Sequence, residues 1–231
     1  VIPTRSVNNA LRDYSILRDE LKKAAGIVGA SISSKVPGKE MGNNVVRIGW
    51  GEDAAWSDMR FLAVDYDFVP VYNLDVLEGR SFDEKFPSDQ NEAFMLNESG
   101  MRRLGWTDPK QAIGQKLQWQ NRKGYVIGVV KDFHFMAANI AVEPFTFIMN
   151  TNWSAGYLSV RLSANDPGPV IDIIREQYKK VMPGKIFEYF LLDDDFDQQY
   201  KAEDRFLKVF TFFAVVAVLI ACLGLYGLAM F

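Results

Sequence analysis

The chain has 231 residues, 48% of them hydrophobic, and a formal net charge of −3. That is long enough for one large domain or two small ones with a substantial core. The weakly acidic balance argues against a nucleic-acid partner, and the single cysteine, Cys222, excludes an internal disulfide. The opening Val1-Ile2-Pro3-Thr4 has neither a basic nor an apolar signal region, so the chain reads as a piece cut from a longer protein.

The first predicted element is an amphipathic helix over Asn8 to Ala25. Leu11, Tyr14, Leu17 and Leu21 repeat at three-and-four spacing, opposite Arg12, Asp13, Arg18, Asp19, Lys22 and Lys23. Gly26 is placed to cap its C-terminus. A short strand follows through Val28, Ala30 and Ile32, and Pro37-Gly38 ends the unit.

A β-rich stretch comes next. Strands are predicted at Val45 to Trp50, Arg60 to Val64, Glu92 to Leu96, Gln115 to Trp119 and Gly124 to Val130. Asn121 to Gly124 has the composition of a hairpin turn. Asn97 is placed to cap a short helix ending near Leu104.

The first order of elements then recurs. Gly156 to Ser163 reads as a strand, and Asp166-Pro167 starts a helix carrying Val170, Ile173, Ile174, Tyr178 and Val181. Pro183-Gly184 stops it, and Ile186 to Leu192 reads as a further strand. Two β-α-β-like units at opposite ends predict an α+β fold: a split α/β part, residues 1–42 and 133–192, with a β-rich insertion at 43–132.

Residues 193–208 follow as a helical stalk with Phe196, Tyr200 and Phe206 along its apolar pattern. Either this segment is an ordinary amphipathic connector, or it runs unbroken into the next element and transmits movement. From Val209 to Phe231 about 23 residues carry no charge. As a helix of about 35 Å they suffice to cross a hydrocarbon core. The run stops without a polar flank, so orientation cannot be derived from flanking charge.

Chemistry-bearing motifs are sparse. His134, the only histidine, lies in Lys131-Asp132-Phe133-His134-Phe135. Asp132 and His134 alone do not make a closed metal site, and no nucleophile motif accompanies a base. The acidic run Asp193-Asp194-Asp195-Phe196-Asp197 lacks the glycine and terminal glutamate of a calcium loop and suits a helix N-terminus. The glycines of Gly124 to Val130 sit in a strand, without the lysine of a phosphate loop. The expectation is a chain without catalytic residues, metal or cofactor.

Several blocks resemble one family in order and spacing. They are Leu77-Glu78-Gly79-Arg80-Ser81-Phe82, Met95-Leu96-Asn97-Glu98, Arg103-Leu104-Gly105-Trp106 and Ala112-Ile113-Gly114-Gln115-Lys116-Leu117. Val126-Ile127-Gly128-Val129-Val130-Lys131-Asp132-Phe133-His134-Phe135 follows, then Leu192-Asp193-Asp194 and Ile220 to Ala229. Together they resemble the periplasmic core domain, stalk and first span of MacB/FtsX-like ABC-transporter permeases. The resemblance implies a split porter-like subdomain, an inserted sabre-like subdomain, a stalk helix and one transmembrane helix. It also implies an inner-membrane protein with residues before about 209 outside the cytoplasm, a separate cytoplasmic ABC ATPase, a permease homodimer or heterodimer, contact with the lipid bilayer and an envelope partner protein. Gly128, Lys131, Asp132, Phe133 and His134 would then be structural signature residues, and Phe196, Tyr200 and Phe206 would carry mechanical coupling. The competing reading is a ligand-sensing ectodomain of a membrane receptor.

Overall fold

In the computed structural model, residues 1–4, 10–39, 43–50, 55–135, 141–149, 156–163, 167–192 and 194 are described, with 209–214, 216–218, 220–223, 225 and 230 of the C-terminal run. In chain order the elements are β1 (Ile2–Pro3), α1 (Ala10–Leu21), β2 (Ile27–Ser33), β3 (Asn43–Ile48), β4 (Ala55–Val64), α2 (Phe68–Tyr72) and β5 (Val76–Gly79). They continue as α3 (Asp89–Glu92), β6 (Ala93–Asn97), α4 (Glu98–Arg103), α5 (Pro109–Ala112), β7 (Lys116–Trp119) and β8 (Arg122–Val130). The last are β9 (Phe145–Met149), β10 (Tyr157–Leu162) and α6 (Gly168–Val181). The mixed α/β composition agrees with the expectation. Val1–Phe190 forms one compact unit and Leu191–Phe231 a second.

Within the first unit, β2 lies between β10 and β4, and β1 edges β10. The stripe predicted for α1 is the one it buries: Tyr14, Leu17 and Leu21 face Ala30, Ile32 and Leu158. From α6, Val170, Ile174 and Tyr178 fill the same core. Each large side chain buried here contributes about 1.5–3 kcal/mol. Strand alternation sends Gly29, Ser31 and Ser33 to the opposite face. Their small size admits α2, whose Val71 would stand 3.0 Å from a Cβ at Gly29.

The other strands close a ring. β4 pairs with β3, β3 with β7, β7 with β8, β8 with β6, β6 with β9, and β9 returns to β4 in parallel register from Arg60↔Phe145 to Val64↔Met149. All six strands send side chains to one core: Val46, Met59, Phe94, Leu117, Val126 and Ile148 among them. That shared cluster is the ring's interior, with Phe61 stacked on Trp119 at 4.2 Å between centroids. Met101 of α4 and Leu104, which follows it, join this core. The outer face of β4, β9 and β6 carries a second core of Leu62, Met95, Phe145 and Phe147, covered by Phe68, Phe82 and Phe135.

β9 was not predicted. Its five residues are all buried, so it shows no alternation to read. It belongs to the ring, although sequence placed residues 133–192 with the split α/β part. The strand expected at Ile186 to Leu192 is absent, and residues 185–191 have no regular structure. Its neighbour β1 is only two residues long, and pairing beyond it is confined to the exchange of backbone hydrogen bonds between Phe190 and Val1. The hairpin turn falls at Gln120-Asn121, between the register partners Trp119 and Arg122, two residues before the expected position.

In the second unit, residues 209–214, 216–218 and 220–223 are helical, and Phe210, Phe212, Ile220 and Leu223 are exposed. Among the described residues no helix is long and apolar enough to cross a membrane. The expected span also includes residues outside the described set. Phe196, Tyr200 and Phe206 lie wholly outside it.

Candidate functional site

The Lys131–Phe135 block leaves β8 and runs beside the ring without regular structure. Phe133 and Phe135 turn inward, within 5.3–5.7 Å of the Phe145 ring, and Phe135 is buried. Lys131 and His134 face solvent. Among the described residues Lys131 is tied only by its backbone, whose N–H donates to the Asp75 carbonyl at 2.8 Å. Among the described residues His134 has no hydrogen-bond partner.

Asp132 joins this block to α4. Its carboxylate accepts from the Ser99 backbone N–H at 2.8 Å, from Ser99 Oγ at 2.7 Å and from Arg102 Nη2 at 2.5 Å. In return, the Asp132 N–H donates to Glu98 Oε2 at 2.9 Å. The helix N-terminus thereby gains an acceptor for an otherwise unpaired donor. On the neighbouring turn Asn97 is fully buried. It accepts from Gly100 and Phe145 N–H groups at 2.8 and 2.7 Å and donates to the Glu143 carbonyl at 2.9 Å. The predicted cap is therefore also a clamp between β6 and β9.

Gly128 is buried where β8 passes the Leu77–Phe82 block. A Cβ there would stand 2.2 Å from the Arg80 carbonyl oxygen. The Arg80 guanidinium is bidentate on buried Asp89, at 2.6 and 2.8 Å, and stacks over Phe86. The hydrogen bonds to Asp89 lead in raising its already high pKa.

Sequence reading missed two further groups. Asp65 lies buried after β4 and accepts from Ser31 Oγ at 2.6 Å, the Ile32 N–H at 2.8 Å and Arg18 at 3.1 Å. Burial pushes its carboxyl above the ordinary range, against the pull of these donors. Nearby Tyr72, hydrogen-bonded to Ser159 at 2.7 Å, is pushed up to about 12, chiefly by burial. A lone aspartate after an apolar strand carries no sequence signal for this; its partners come from α1 and β2. The second group is an exposed aromatic face on the ring, with Trp50, Trp56 and Tyr125.

Among the described residues no three histidine, cysteine or acidic side chains gather into a metal site. Gly128, Asp132 and Phe133 meet backbone, helix and core, whereas the Lys131 and His134 side chains face solvent.

A family model described as MacB-like periplasmic core domain matches residues 5–177. The fold is similar to the crystal structure of the periplasmic region of MacB from Actinobacillus actinomycetemcomitans: TM-score 0.59, 16% identity, 87% of this chain and 90% of that one. It is also similar to a domain of a permease protein from Porphyromonas gingivalis: TM-score 0.51, 15% identity, 78% of this chain and 71% of that one. No curated relative matches the sequence.

Proposed function

Because the chain belongs to the family of MacB-like periplasmic core domains, we propose that it is the part of an ABC-transporter permease that converts ATP hydrolysis by a separate cytoplasmic ATPase into substrate export or mechanical signalling across the envelope. The observation that carries this reading is the family match over residues 5–177. The proposal includes an inner-membrane location with residues before about 209 outside, a stalk at 193–208, a span at 209–231, and assembly as a permease homodimer or heterodimer. It also takes the domain as two subdomains, one split and one inserted, and as non-catalytic. The signature residues support that last point, since Gly128, Asp132 and Phe133 join structural elements to one another. Their proposed role is to keep the ring and its helix stiff enough to pass on force.

The test is affinity purification of the intact permease from native membranes. An ABC ATPase that co-purifies, and whose hydrolysis changes when the permease is removed, supports the reading. A protein that carries no ATPase and instead brings down a cytoplasmic signalling module supports the sensor alternative and overturns it.

A further inference from the structure

Alternation around the ring leaves one face of β4, β3, β7 and β8 in solvent. Val46, Met59, Leu117 and Val126 point inward, so their strand neighbours Arg47, Trp56, Lys116 and Tyr125 point out. Register aligns them across the face: Trp56 opposite Arg47, Arg47 opposite Gln118, Lys116 opposite Tyr125 and Gln118 opposite Lys123. Trp56 is 60% exposed. Trp50 and Tyr125, exposed at the rim, meet edge to face with centroids 5.4 Å apart.

These rings are held before any ligand arrives. Trp50 donates its indole N–H to the Leu117 carbonyl at 3.3 Å, and Lys116 lies 4.7 Å above its ring. The Arg47 guanidinium stacks 3.7 Å over Trp56. Tryptophan, tyrosine and arginine dominate binding hot spots, and prior ordering lowers the entropy lost on binding. Charge on the described part of this face is opposite in sign to that of the whole chain: among the described residues Lys116 and Lys123 stand against one outward acid, Asp58, whereas the chain carries −3 overall. Among the described residues Lys116 and Lys123 form no ion pair.

Size limits the occupant. Four strands about 4.8 Å apart span about 15 Å, the length of about five extended residues at about 3.4 Å each. A standard globular interface covers about 800 Å² per partner, well beyond such a strip. We infer that this face docks a short acidic segment of a partner polypeptide, whose carboxylates meet Lys116 and Lys123 while an apolar side chain rests on Trp56. The inference deepens the transport reading by giving the chemistry of an envelope partner, and rests on it only for the compartment in which that partner is met.

The probe is a synthetic hexapeptide of glutamate and aspartate around a central leucine, with its glutamine/asparagine and lysine counterparts as controls. Each is titrated against the full chain in mild detergent, followed by tryptophan fluorescence and by calorimetry. The acidic peptide is expected to saturate and to bind about tenfold more tightly than the amide peptide. Trp56→Ala and Lys123→Glu should each weaken it by about fivefold or more while leaving the melting temperature unchanged. Equal binding of acidic and amide peptides, no saturation, or insensitivity to both variants overturns the inference. So does saturation by a neutral oligosaccharide but not by the acidic peptide. ATPase co-purification is read separately, so failure of either result leaves the other standing.

Discussion

Gly79 and Gly128 stand opposite one another across β5 and β8. Each is needed by its partner's backbone: a Cβ at Gly79 would lie 2.2 Å from the Ile127 carbonyl oxygen, and one at Gly128 would lie 2.2 Å from that of Arg80. Gly79 also has φ 77°, a conformation that side chains rarely adopt. Two separate sequence blocks thus meet at a place where neither tolerates a methyl group.

Gly128→Ala should therefore destabilise the domain by about 1–3 kcal/mol, the usual range for overpacking. Gly79→Ala should cost at least as much, because it adds backbone strain. The double variant should cost less than the sum, since the first methyl already separates the two strands. Denaturant midpoints for the three variants check this, and full additivity would show that the strands do not share one contact.

Asp132→Ala should destabilise by about 0.5–2 kcal/mol, the range for a lost helix cap. His134→Ala should stay within about 0.5 kcal/mol, as expected of an exposed side chain with no hydrogen-bond partner among the described residues. The sharp contrast between residues two apart is the test. A large loss at His134, or zinc retained after dialysis and released by His134→Ala, would contradict the assignment.

For Asp65 the sign is unusual for an acid with a cationic neighbour. Its folded-state pKa lies above the ordinary carboxylate value of about 3.9, because burial outweighs its donors. Between those two values the folded protein binds more protons than the unfolded chain, so this group's contribution to stability falls as pH rises. Relative to Asp65→Asn, the wild type should lose stability on going from about pH 4 toward neutrality. Chemical denaturation of both proteins at a series of pH values measures it. A wild type that gains on the variant over that interval would mean that the Arg18 pair outweighs burial.

The stalk prediction rests on sequence. Ala202→Pro removes a backbone donor and crowds the preceding turn, costing about 3 kcal/mol or more in a helix interior. The outer domain should keep its melting temperature, while the assembled transporter loses transport and its ATPase continues to turn over. Two glycines inserted after Ala202 should act alike. Normal transport by either variant at wild-type expression would reduce the stalk to a tether.

The two long helices were legible because their apolar spacing is unambiguous, whereas α2, α3 and α5 are too short to show a period. Tyr14, Leu17 and Leu21 in α1, and Val170, Ile174 and Tyr178 in α6, are buried as their periodicity predicts. Asn97 was legible as a cap, but its second task, holding Phe145, depends on a residue 48 positions away. β9 escaped because a strand buried on both faces has the same pattern as any apolar run. Phe133 and Asp132 could be singled out within their block, yet only the fold shows that one packs on Phe145 and the other caps α4. Trp56 escaped for a different reason: the strand was expected only from Arg60 to Val64, and β4 begins five residues earlier, at Ala55.

The parallel β4–β9 pairing joins Arg60 to Phe145, and β2 must wait for β10, as in Ile32 with Leu158. A ribosome delivers β3 to β8 long before either partner, so Val46, Leu117 and Val126 remain without their final enclosure until residue 149 has emerged. Such distant pairings fold slowly and leave apolar strand surface uncovered meanwhile. The newborn chain is therefore most vulnerable to misassociation late in its synthesis, and a holdase present during that interval should raise its yield more than one added afterwards.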